Sequence, residues 1–251
     1  MVKVSKPHIL IDGDILIYEA SFGVEKSIHW GDDMWTLHAD GREAKQRLDV
    51  QIVELVETLD AGKYTICLSD SENFRKDLDP SYKANRNSRK PVVYREVKDY
   101  VLDAWKAQVW PRLEADDVIG ILATKLKDTV IVSIDKDFKT VPARIYNPSK
   151  PELGIYTVTK EEADRWHLIQ TLTGDRVDGY SGCPGIGPKR AEQIVEGGWP
   201  AVVEAYVKAG LSEEVAITQA RLARILRKGD YTKKTRRVKL WTPSKAPALC
   251  Q

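Results

Sequence analysis

Three short apolar runs in the sequence each end on an aspartate: residues 8–11 lead into Asp12, 64–69 into Asp70 and 129–134 into Asp135. Read as buried parallel strands, they carry three carboxylates to one edge of one sheet, where open α/β sheets bind ligands. Glu114, Asp116 and Asp117 cluster at the start of a predicted helix, and Asp137, Asp175 and Asp178 add further acids. Two bare carboxylates about 4 Å apart repel by roughly 4 kcal/mol at an effective dielectric of about 20, so such a group calls for cations at neutral pH. Oxygen-only donors suit Mg2+ or Mn2+ better than Zn2+. Two such ions about 3.5–4 Å apart can stabilise the attacking and leaving oxygens of a phosphodiester displacement, and no side chain then acts as a covalent nucleophile. A single aspartate after a strand is more often a turn former or helix cap. The coincidence of three with the 114–117 cluster reverses those odds, whereas Asp14 reads as a cap or supporting group with no ligand role.

A basic stretch follows Asp70. Phe74, Arg75 and Lys76, then Tyr82, Lys83 and Arg86, interleave aromatics with cations, as phosphate clamps and base-stacking platforms require. Lys83 and Arg86 are the candidates for contact with the reacting phosphate, Arg86 by a forked grip and Lys83 as a mobile point charge. Further along, Gly185 and Gly187 precede a helix that Pro188 suits at its first turn, with Lys189 and Arg190 beside them. Backbone N–H groups at such a turn hold phosphate oxygens. No segment reads as a sequence-specific recognition helix, so selection by backbone shape and strand end is expected.

These residues need elements to position them. Strand, loop and helix signals alternate over the first two thirds, which favours βαβ units. Helices are expected over 43–60, over 116–127, and from a Thr159/Glu162 capping box to about 173, where Gly174 stops the last. Residues 71–95 lack a core pattern and are expected to project from the sheet. From about 179 the sequence becomes turn-rich and then helical, which marks a boundary: 1–178 as an α/β core, 179–230 as a helical subdomain, 231–251 as a basic segment returning to the core. Length and 42% hydrophobic content allow a sizeable core, and net charge is only +2, so the basic stretches at 83–98 and 221–239 stand out by clustering. Three cysteines without zinc-ligand spacing exclude a disulfide framework, and no apolar stretch approaches a membrane span. A soluble cytoplasmic protein is expected.

Taken together, these stretches resemble the 5′ nucleases of the flap endonuclease superfamily, in particular the short 5′→3′ exonucleases of podophages. The likeness runs through residues 11–14, 69–71, 74–76, 82–86, 114–120, 134–138 and 174–187, covering nearly the whole chain in order. It implies a PIN-like α/β fold: a twisted, mostly parallel sheet flanked by helices, plus a helix-hairpin-helix-type subdomain. It also implies two divalent ions, with Asp12, Asp70, Glu114 and Asp116 around the first and Asp117, Asp135, Asp137, Asp175 and Asp178 serving the second, partly through water. Lys83 and Arg86 would belong to a helical arch over a single-stranded 5′ end. A K+ ion would assist the 185–187 turn. The activity implied is 5′→3′ removal of nucleotides from duplex DNA, accompanied by 5′ flap cleavage and RNA-primer removal from RNA–DNA hybrids, by a monomer. Two other readings compete. A haloacid dehalogenase-type phosphatase would use Asp12 as nucleophile but leaves residues 114–117 and the basic segment without roles. An inactive DNA-binding protein would have little reason to crowd so many carboxylates.

Overall fold

The computed structural model describes residues 6–86 and 88–243. In chain order its elements are β1 (His8–Asp12), α1 (Gly13–Phe22), β2 (Lys26–His29), β3 (Trp35–His38), α2 (Gly41–Thr58), β4 (Lys63–Leu68) and α3 (Arg75–Leu78). Then come α4 (Tyr94–Ala104), β5 (Gln108–Val109), α5 (Ala115–Lys125), β6 (Thr129–Val132), β7 (Ala143–Tyr146), β8 (Ile155–Val158) and α6 (Lys160–Thr173). The chain continues through α7 (Pro188–Ile194), α8 (Gly198–Lys208), α9 (Glu213–Ala223), β9 (Tyr231–Thr232) and β10 (Arg237–Val238).

Six strands form one sheet in the order β5-β4-β1-β6-β7-β8, parallel except for the β7–β8 pair. The central strands are continuous apolar runs because both faces are covered. One face packs α1, α2 and α4 through Leu16, Ile17, Leu48, Ile52, Val97 and Val101; the other packs α5 through Val118, Ile119 and Ile121. Strand order reverses beside β1, the place where such sheets open a crevice. Register then does the positioning. Asp12 pairs with Cys67 and Ile11 with Val132, so Asp70 and Asp135, each three residues further on, emerge beside Asp12 at the same edge.

The helices expected at 43–60 and 116–127 form two residues and one residue earlier, with Asp40 capping α2 through the Arg42 amide. The Thr159/Glu162 box closes reciprocally on α6. That helix ends at Gly174, whose φ of +65° and backbone contacts with residues 180–182 leave no room for a side chain. Pro188 opens α7.

Residues 71–86 depart from expectation. Phe74, Arg75 and Tyr82 are buried, so this stretch lies against the body and does not project. The reason is electrostatic: Arg75 reaches a buried carboxylate on α5, and the Tyr82 hydroxyl donates to Glu114 and Asp178. A second helical layer, formed by the end of α6 with α7, α8 and α9, surrounds Ile169, Leu172, Val202 and Tyr206. After α9, Tyr231, Val238 and Leu240 pack back onto the α5 face; residues 244–251 lie outside the described part. Among the described residues no helix is long and apolar enough to cross a membrane.

Candidate active site

Asp12 is the hinge between β1 and α1. Its carboxylate accepts from the Ile15 amide at the helix start (3.5 Å) and from Ser133 Oγ across the neighbouring strand end (3.2 Å). Only 5% exposed, it is pushed up to about 7, first by burial and then by Asp14 and Asp135. Asp116, the second residue of α5, is raised well above the usual carboxylate range by burial and by Asp12 and Asp135. Asp137 rises to about 7 through burial and Asp135. These shifts have one meaning: acids from β1, α5 and the loop after β6 share a confined volume and repel one another.

Cations on the chain offset part of this charge. The Lys83 ammonium contacts Glu114 and lies 3.5 Å from Asp178. Its backbone sits at φ +56°, held by a 2.8 Å hydrogen bond from the Lys83 amide to the Asp178 carbonyl. Burial alone would raise Glu114, but Lys83 and Arg75 outweigh it and hold this carboxyl at about 2. Arg86, half exposed, donates to Asp178 (2.6 Å), and Lys136 donates to Asp175 (3.0 Å). Asp70 accepts from the amides of Ser71 and Arg112 at 2.8 and 2.7 Å. Gln170 on α6 donates to Asp137 (2.6 Å).

The expected roles of three residues, Asp117, Arg75 and Tyr82, are corrected. Asp117 is fully buried, and its two oxygens accept from both terminal nitrogens of Arg75 (2.7 and 2.8 Å), from the Glu114 amide (3.3 Å) and from the Leu226 amide (3.1 Å). With every acceptor direction occupied it has no lone pair to offer an ion. Arg75, 3% exposed, also binds Glu114 and the carbonyls of Leu222 and Arg224. It orients the acidic cluster and is unavailable to a phosphate chain. Tyr82 is likewise buried, its hydroxyl tying Glu114 to Asp178, so it offers no stacking face. Lys76, Gly185, Gly187, Lys189 and Arg190 are exposed.

Asp14 sits beside Asp12 and bonds to the chain. Its Oδ2 accepts from the Ser69 amide (3.0 Å), while Oδ1 is buried with no hydrogen-bond partner, and its charge helps raise Asp12. Among the described residues no three Asp, Glu, His or Cys side chains already close around one point. The donor set nevertheless fits hard divalent cations in chemistry: it is oxygen only, electrostatically crowded, and includes an orphaned carboxylate oxygen.

Residues 7–164 match the family model described as the 5′-3′ exonuclease N-terminal resolvase-like domain. The exodeoxyribonuclease of Enterobacteria phage T3 is 33% identical over an alignment covering 94% of this chain and 92% of that protein. The chain belongs to the 5′-3′ exonuclease family. The exonuclease of Escherichia phage T7 is equally similar, at 33% identity over 94% and 93% of the two chains. Among solved structures, the T5 D15 protein co-crystallised with metal ions superposes with a TM-score of 0.64 at 16% identity, covering 86% and 88% of the chains. The PIN-like sheet with flanking helices is thus the fold of this exonuclease family member, and the acids from Asp12 to Asp137 lie within the matched residues.

Proposed function

We propose that the protein is a divalent-metal-dependent 5′→3′ exodeoxyribonuclease that also cleaves 5′ flaps and removes RNA primers from RNA–DNA hybrids. One observation carries this reading: acids from β1, the β4 loop, α5 and the β6 loop converge on one strand edge, with Lys83 already seated against Glu114 and Asp178. The names of the T3 and T7 relatives, and the metal ions bound to the T5 D15 protein, support it.

Asp12, Asp70, Glu114 and Asp116 would hold one Mg2+ or Mn2+, and Asp135, Asp137, Asp175 and Asp178 a second. Bound there, the ions would lower the pKa of the attacking water and neutralise charge on the leaving oxygen. The chain's own groups supply the rest. Ser133 fixes Asp12, Gln170 fixes Asp137, and the Arg75–Asp117 pair fixes Glu114. Lys83, seated between Glu114 and Asp178, would present its ammonium to charge building on the phosphate. Arg86 orients the same phosphate. The exposed turn carrying Gly185 and Gly187, with Lys189 and Arg190, would grip duplex backbone, and K+ is the further ion this turn would take. Residues 1–178 thus form the nuclease core, 179–230 the duplex-binding subdomain and 231–251 a basic return segment, in a soluble monomer.

The test is cleavage of 5′-labelled duplex, 5′-flapped and RNA-primed substrates. Short labelled products should appear with Mg2+ and vanish with EDTA. Cleavage that persists in EDTA refutes the metal-dependent mechanism.

A further inference from the structure

At the opposite end of the strands from the acids lies a cavity of about 580 Å3, lined by His8, Lys63, Trp110, Lys125, Lys228 and Lys233 among others, with no carboxylate in its lining. The two ends are well separated. Four residue steps along β1 place His8 about 13 Å from Asp12, and eleven along α5 place Lys125 about 17 Å from Glu114. Elsewhere on the surface several lysines are paired with acids, as in Lys6–Asp60, Lys45–Glu96, Lys160–Asp164 and Lys208–Glu204. Here they face one another.

Two consequences of that crowding are visible. Burial and Lys125 lower the proton affinity of Lys233, and burial and Lys63 lower that of His8. The Lys233 ammonium rests 3.6 Å from the centroid of the Trp110 ring, against which Tyr231 stacks at 5.9 Å. The aromatic face holds this ammonium without neutralising its charge. The positive surface then continues past the cavity along the β9–β10 hairpin through Lys234, Arg236, Arg237 and Lys239.

We propose that this cavity and hairpin form a second, sequence-independent contact for the phosphodiester backbone of a nucleic-acid strand, remote from the acidic edge. A mononucleotide would fill the cavity and leave the hairpin cations unused; a strand engages both. Lysines suit this task because point charges grip phosphates without reading bases. The proposal rests on the nucleic-acid reading above only for its ligand class. It adds that one strand, gripped at both ends of the sheet, is bound with higher avidity.

The experiment compares a short duplex with the same duplex carrying a single-stranded tail of about 20 nucleotides, long enough to reach around the molecule. Binding is read by fluorescence polarisation in EDTA, for the wild type and for the variant combining Lys63→Gln, Lys125→Gln and Lys233→Gln. The tail should tighten wild-type binding about tenfold, and the variant should lose that gain. Its salt dependence on tailed DNA should fall by about 2 in log–log slope, three lost phosphate contacts at roughly 0.7 each. Untailed binding, and cleavage of untailed duplex in Mg2+, should not change. A tail effect that survives in the variant, or an equal loss on both substrates, overturns the proposal. Failure of the nuclease reading would appear separately, as absence of untailed cleavage by the wild type. Lysine acetylation footprinting of the wild type gives an independent measure: tailed DNA should protect Lys63, Lys125, Lys228 and Lys233. Equal protection by a deoxynucleoside monophosphate alone would make this a small-ligand site and refute the strand contact.

Discussion

Replacing Asp117 with asparagine separates a structural acid from a catalytic one. In the folded protein Asp117 is fully buried against a guanidinium that is 3% exposed, and the pair is completed by bonds to Glu114, Leu222, Arg224 and Leu226. Asparagine keeps the volume but removes the charge, and its amide presents N–H groups to an Arg75 that can only donate. Leaving a buried charge without its partner costs about 3–5 kcal/mol. For a chain of this size each kcal/mol moves Tm by about 2–4 °C, so Asp117→Asn should melt about 10 °C lower. Removing both partners, with Arg75→Met and Asp117→Leu together, should recover much of that loss, because no charge is then stranded. Thermal or urea unfolding in EDTA measures both, free of any stabilisation by bound ions. A variant that melts within about 2 °C of the wild type while losing all cleavage would return Asp117 to the metal site and refute the assignment.

Lys83→Ala should slow single-turnover cleavage by at least tenfold while duplex affinity changes less than threefold, since one ammonium near the reacting phosphate acts mainly on the transition state; equal losses in both would contradict this. Gly187→Val should do the reverse, weakening duplex binding with little effect on Tm, because a Cβ there meets nothing in the chain within 4 Å and obstructs only an approaching backbone. His167 is held down to about 3 by burial and Arg224, and its Nε2 lies 2.7 Å from the Ala220 carbonyl. The folded state therefore favours the neutral ring, so its contribution is complete above pH 6.5 and falls by about 1.4 kcal/mol per unit as pH drops below that value toward 3. Urea titrations at pH 7, 6 and 5 should show this slope in the wild type relative to His167→Gln; parallel stability curves would disprove it.

The acidic edge was legible because buried parallel strands leave an unmistakable trace, apolar runs of four to six residues stopped by a charge. Pairing register then converts those stops into neighbours. What stayed hidden was burial of charge. Arg75, Lys76, Tyr82 and Lys83 look alike as a basic, aromatic stretch, yet all but Lys76 turn inward, because the partners that draw them in, Asp117, Glu114 and Asp178, lie far along the chain. Adjacent acids posed the same difficulty: Asp116 and Asp117 are neighbours in sequence, but a helix sends them about 100° apart, one toward the shared acidic volume and one into the core. The β2–β3 hairpin is a separate case: Trp35 and Leu37 alternate with Thr36 and His38, but all but one of the residues in its two strands are exposed, so no buried face announces it.

α6 has a consequence for where the substrate is cut. Its first turns set Ala163 among the side chains beneath the sheet, its last turns set Ile169 and Leu172 among the helices that follow, and Gln170 lies between them with a hand on Asp137. One continuous rod thus joins the part that would grip duplex to the part that would break it. The spacing from grip to scissile phosphate is therefore a fixed length, written in helical turns, and inserting a residue into α6 should relocate the cut along the strand before it alters how fast cutting proceeds.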